Sequence, residues 1–225
     1  MQKSIVTTLI GFSLFYINCA CQEVDNSHLY PCDKDWINFK IGNLISFCIP
    51  PTLEMREDGS TIKTSIDHLY YAMEVKLTSP NIVFQPKGLN DSLSKLNDQY
   101  ARVLVYVIDA RDDPFPRNNE MLSIPKDELN EIETSYRARF ENFIKGNNAK
   151  LIDWSSFEVS QNAQIAYIKF SMRRSMGNNP IVRVHTYLIF NFSTAFEITV
   201  SYRETEAFLW ANDLEKIINT VNLLD

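Results

Sequence analysis

Five side chains on two neighbouring apolar runs are the best candidates for chemistry in this chain. Arg183, His185 and Tyr187 alternate along one run, and Tyr167 and Lys169 hold the equivalent parity on the run before it. If the two runs pair as strands, a guanidinium, an imidazole, an ammonium and two phenols share one outer face. That set suits an anionic or aromatic group, and it equally fits an ordinary solvated sheet face. Phe115, between Pro114 and Pro116 in a polar loop, is a further binding candidate. It reads either as an exposed anchor for a protein partner or as a loop aromatic folded onto the core.

Patterns that carry catalysis are absent. Besides His185 there are only His28 and His68, and no nucleophile elbow accompanies any of them. No glycine-rich dinucleotide loop, phosphate-binding P-loop, HExxH or CxxC pattern is present in the mature region. Asp109, Asp112 and Asp113 put three hard ligands within five residues, but Arg111 sits among them and the spacing matches no calcium loop. Aspartates are also common in turns for their own backbone chemistry. Glu54, Glu57 and Asp58 read as solvated charges. The expectation is therefore no metal and no cofactor.

The bulk composition agrees with a binding protein better than with a nucleic-acid reader. The 225 residues are 45% hydrophobic and 22% charged, with a formal charge of −6. That length suits one large domain. Removing the first twenty residues takes away only Lys3 and leaves 21 basic against 28 acidic groups, or −7. A negative chain with no basic run is a poor match for a phosphate backbone.

The N-terminus reads as an export address. Lys3 precedes an apolar run from Ile5 to Ile17, which ends in Asn18-Cys19-Ala20-Cys21 and then turns polar. Thirteen helical residues reach about 20 Å, short of the roughly 30 Å of a hydrocarbon core, so a permanent span is disfavoured. The closing cysteine resembles the lipobox of bacterial lipoproteins, which implies a lipid on Cys21, with Cys19 as the second candidate. Glu23 and Asp25 resemble the sorting signals of some outer-membrane lipoproteins. The implied location is the bacterial cell envelope, at the outer membrane. In an oxidising compartment Cys32 and Cys48, the remaining pair, invite a disulfide, while Cys48 also fits as a small buried hydrophobe.

The elements that must position these groups follow from periodicity. Residues 1–20 are the address, 21–36 a polar irregular tether and 37–225 a single domain. Ile37 to Ile41 and Leu44 to Ile49 flank Gly42-Asn43 and predict a hairpin stopped by Pro50-Pro51. Residues 56–68 predict a loop, and Met73, Val75 and Leu77 a half-buried strand, with Ile82 to Phe84 another. Tyr100 to Ala110 is apolar at both parities and predicts a central strand. Leu129, Ile132, Tyr136, Phe140 and Phe143 recur every three or four residues between Pro125 and Gly146, which predicts a helix.

Downstream, Leu151 to Val159 reads as one strand. Ala166, Ile168, Phe170 and Met172 mark the next, then Val182, Val184, Leu188, Phe190 and Phe192, then Phe196, Ile198, Val200 and Tyr202. Together they predict a meander with one face packed. Trp210, Leu214, Ile217, Ile218 and Val221 close the chain with a helical stripe.

Two stretches carry a family resemblance: Ser46-Phe47-Cys48-Ile49-Pro50-Pro51, and Ala195 to Tyr202 followed by the helix through Trp210 and Ile217-Ile218. Through them residues 37–225 resemble the PsbP/DcrB-like superfamily. The resemblance implies an α+β fold, an antiparallel sheet with helices on one face. It also implies an accessory or binding role, as in envelope lipoproteins and chaperones for secreted effectors, with no shared catalytic set. The expected function is a non-catalytic binding or assembly module, held to a membrane by its N-terminal lipid and engaging an envelope or secreted protein. The competing expectation is an envelope hydrolase or carbohydrate-active enzyme.

Overall fold

Strands that are apolar at both parities need cover on both faces, and that requirement organises the fold. The computed structural model describes residues 21–23, 32–56, 82–90, 99–109, 114–146 and 148–224. Its strands begin with β1 (Cys21–Glu23), β2 (Ile37–Ile41), β3 (Ile45–Ile49), β4 (Leu53–Met55), β5 (Ile82–Pro86) and β6 (Ala101–Asp109). After helix α1 (Lys126–Gly146) come β7 (Ala149–Trp154), β8 (Glu158–Gln161), β9 (Ala166–Met176), β10 (Val182–Asn191) and β11 (Thr194–Arg203). Helix α2 (Ala207–Lys216), a 3-10 turn (Ile217–Thr220) and β12 (Asn222–Leu223) finish the chain.

The strands form two sheets, antiparallel at every described pairing. One runs β1-β2-β3-β12; the other runs β4-β5-β6-β11-β10-β9-β7, with β8 also on β9. The predicted β2–β3 hairpin is present, with Gly42 in the left-handed conformation its turn requires. β6 lies inside the large sheet, between β5 and β11.

Alternation along β10 sends Tyr187 and Ile189 to one face and Leu188 and Phe190 to the other, and both sets are buried. The single packed face expected from sequence is thus two packed faces. Helices accordingly sit on opposite sides rather than on one. Trp210 and Leu214 of α2, with the four-stranded sheet, cover Ile198, Val200 and Tyr187. Leu129, Ile132 and Tyr136 of α1 cover Phe170, Ile168 and Leu188.

Three smaller expectations also change. The single strand over Leu151 to Val159 is broken into β7 and β8, because Phe157 turns into the core and the Glu133 carboxylate of α1 accepts from its N–H at 3.0 Å and from the Trp154 indole at 3.2 Å. Phe192 does not face in: it occupies the β10–β11 turn at φ 45° and is half exposed. Three residues of the expected tether, Cys21–Glu23, pair with β2 as an edge strand. The loop at 56–68 and the strand at Met73, Val75 and Leu77 fall on 57–81, outside the described residues apart from Arg56.

Cys32 and Cys48 form a disulfide, Cα to Cα 5.7 Å, that ties the segment before β2 to β3. β3 is held further by Thr220, whose hydroxyl accepts from the Cys48 N–H at 2.9 Å.

Candidate functional site

The five sequence candidates do share a face. β9 and β10 pair with Tyr187 opposite Lys169, His185 opposite Ser171 and Arg183 opposite Arg173. On its other side β10 sets His185 beside Val200 and Arg183 beside Tyr202. The face is not the solvated one expected, because α2 lies across it. Tyr167 and Tyr187 are 8% and 7% exposed, with rings edge to face at 5.7 Å in the apolar core. As core residues they are withdrawn from the candidate binding surface. What stays accessible is a charged strip leading away from them through Lys169, Arg183 and Arg173, with His185 set between them.

Carboxylates from β7, β8, the segment after β11 and α2 hold that strip. Arg173 reaches Asp153 of β7 at 2.9 Å and Glu204, just past β11, at 2.7 Å. Arg183 shares the same Glu204 at 2.9 Å while its side chain stays 42% exposed. Hydrogen bonding from Arg173, and then from Arg183, holds the Glu204 carboxyl below the usual carboxylate range. Lys169 pairs with Glu158 of β8 at 3.3 Å. Pairs this exposed contribute little stability, so the strip keeps its side chains available to a partner.

His185 is the enclosed member. Its ring stacks on Tyr202 at 6.1 Å, and its Nε2 lies 3.4 Å from Glu215 Oε1, which also accepts the Tyr202 hydroxyl at 2.8 Å. Burial lowers the imidazole below its ordinary value; Glu215 opposes that and Arg183 reinforces it. The ring is therefore neutral at pH 7. Ser171 across the strand pair completes the residue types of a hydrolytic triad, but the geometry differs. Its hydroxyl lies 3.3 Å from Ser155 Oγ, and the histidine presents Nε2 to the acid instead of to a nucleophile. Burial also raises the Tyr187 and Tyr202 phenols, so both stay protonated. The arrangement can bind through charged hydrogen bonds.

No family model matches the sequence, and no curated protein is similar to it. In structure, the cyanobacterial PsbP (CyanoP) of Synechocystis sp. PCC 6803 superimposes over 87% of this chain and 98% of its own, with a TM-score of 0.52 and 10% sequence identity. The fold is PsbP-like. A Bacteroides thetaiotaomicron protein aligns over 81% of this chain and 46% of its own at 13% identity, with a TM-score of 0.36, too low to read a shared fold from it.

On the α1 face of this PsbP-like sheet, Phe115 is 2% exposed and stacks on Phe190 at 5.3 Å. Its N–H donates to the Phe192 carbonyl at 2.8 Å, which folds the loop onto the β10–β11 turn. The exposed-anchor reading is therefore corrected to a core role. Asp112, Asp113, His28 and His68 lie outside the described residues. Among the described residues no cluster of three metal-ligating side chains occurs.

Sequence reasoning missed the acids. Glu204 and Glu215 were hidden in a helical tail, although two arginines on facing strand positions demand a shared counter-charge. Glu197 was hidden inside an apolar strand. It lies under α1, accepting from Tyr136 Oη at 3.1 Å and Thr199 Oγ1 at 3.4 Å. Burial pushes its carboxyl up, against the pull of those two bonds and of Arg139.

Proposed function

We propose that this chain is a non-catalytic binding or assembly module, exported and anchored in the bacterial envelope at the outer membrane by a lipid on Cys21. The strip formed by Lys169, Arg173, Arg183 and His185 engages another envelope or secreted protein. The observation that carries this reading is the double use of Glu204. One carboxylate serves two arginines, and Arg183 remains accessible, so an acidic side chain of a partner can take over its free donors. The PsbP-like fold supports an accessory role. The pairing of β1 with β2 from Cys21 onward supports a short attachment, in which the lipid holds the edge of the four-stranded sheet close to the bilayer.

Crosslinked pulldown from the native host tests the partner. A discrete envelope or secreted protein should copurify with wild type and be lost with Arg183→Ala combined with His185→Ala; no partner under any crosslinking condition contradicts the reading. Intact-protein mass spectrometry tests the anchor, since a lipid-mass adduct should vanish in Cys21→Ala and persist in Cys19→Ala. The approach of His185 to Glu215 keeps the hydrolase reading testable. Ester, amide or glycoside hydrolysis abolished by both His185→Gln and Glu215→Gln in folded protein would replace the binding account.

A further inference from the structure

The α1 face of the large sheet turns polar toward the start of β6, and three arginines converge there. Arg102 stands opposite Ser201 of β11, and on its other side β5 brings Gln85, the residue after the Phe84 that faces Val103. Ser201 and Gln85 are each 3% exposed. The Tyr100 ring lies under the Arg102 guanidinium at 5.2 Å, with its hydroxyl 3.5 Å from Ser201 Oγ. Arg56 enters from the end of β4, its N–H bonded to the Val83 carbonyl, and Arg203 from the end of β11, its N–H bonded to the Tyr100 carbonyl.

The Arg102 Nη1 donates to the Ala101 carbonyl at 2.7 Å, and among the described residues no carboxylate pairs with it. Burial is the main influence that weakens its hold on its proton; Tyr100 opposes this, and the cationic Arg56 and Arg203 add to it. Arg203 has Glu206 at 3.0 Å. Enclosing a guanidinium without a counter-charge is costly, and buried charges are paired almost without exception. An oxyanion supplies what is missing, and the guanidinium fork matches its geometry through two parallel hydrogen bonds.

We propose that Arg102, flanked by Arg56 and Arg203 and backed by Tyr100 and Ser201, is the centre of a phosphate-binding site. It lies on the opposite face from the Arg183 strip and is independent of it. The phosphate is carried either by a soluble molecule or by an anionic lipid headgroup, and the chemistry at Arg102 is the same for both.

The test is titration of the full chain with inorganic phosphate by calorimetry, and in a parallel arm with phosphatidylglycerol vesicles, at fixed ionic strength. Wild type is compared with Arg102→Gln, Arg102→Lys and Arg56→Gln. Phosphate should bind wild type and raise its unfolding midpoint, Arg102→Gln should weaken binding by about tenfold or more, and Arg56→Gln should weaken it less. Arg102→Lys keeps the charge and loses the fork, so it should also bind several-fold more weakly while circular dichroism reports an intact fold. Arg102-dependent binding to free phosphate assigns a soluble ligand; the same dependence on vesicles alone assigns a headgroup. The proposal is overturned if neither probe binds, or if folded Arg102→Lys and Arg56→Gln both bind as wild type does.

Discussion

The two faces of the large sheet share β9, β10 and β11 and solve different problems. The α1 face packs an aromatic stack, with Phe157 on Phe170 at 4.3 Å and Trp154 on Phe170 at 4.9 Å, and holds the Glu197 carboxyl beneath Tyr136. The α2 face mixes aliphatic side chains with Phe196, Tyr187 and Trp210 at its centre, then opens into charged pairs beyond Tyr187. Under its helix the α1 face holds Glu197, whereas the α2 face leaves Arg183 and Lys169 within reach of a partner. Helix position accounts for the difference. The 21-residue α1 lies over Glu197, whereas α2 has 10 residues and leaves Arg183 and Lys169 accessible beyond it.

That contrast can be broken from either side. The largest effect is expected from Phe115→Ala, which empties a stacked core position and should cost about 3–5 kcal/mol in denaturant unfolding. A loss under 1 kcal/mol would return Phe115 to the surface. Replacing both Cys32 and Cys48 with Ser should cost about 3 kcal/mol, since the bridge closes a loop of about 15 residues in the unfolded chain. It should leave the α1-face tryptophan fluorescence of Trp154 unchanged at low denaturant.

Tyr136→Phe leaves Glu197 short of a donor and should cost about 1–3 kcal/mol. The folded Glu197 carboxyl binds its proton more tightly than the unfolded 4.5. Its contribution to stability is therefore greatest below that pH and is lost as pH rises through the raised value. Glu197→Gln should flatten this dependence in pH-resolved unfolding curves. The smallest effect belongs to His185, whose folded value lies below 6.5. Stability here is present above 6.5 and is lost as pH falls toward the folded value, and His185→Asn should remove the slope. The two histidine and glutamate slopes have opposite sign, so one pH series on the two variants separates the faces.

Much of this was legible in the sequence. The 3.6-residue stripe from Leu129 to Phe140 fixes α1, and alternation fixes β9 to β11 and places Lys169, Arg183 and His185 on one side. Local period cannot say what covers a face, so α2 lying over Tyr167 and Tyr187 was out of reach. Nor could it show that Phe115 folds back through a bond to Phe192, a contact 77 positions away by residue number. The acids of the strip were illegible for the same reason, since Glu204 and Glu215 meet Arg173, Arg183 and His185 only through tertiary closure. Glu197 carried a sequence signal, a lone carboxylate in an apolar strand, whose meaning depends on the helix above it.

The most direct measurement is site-specific photo-crosslinking in the native host, with the photoreactive residue at position 183 on the open strip and, as the control, at position 137 on the exposed side of α1. A partner-binding strip predicts one discrete protein adduct from position 183 and none from 137. The same adducts from both positions, or none from 183, would contradict the account.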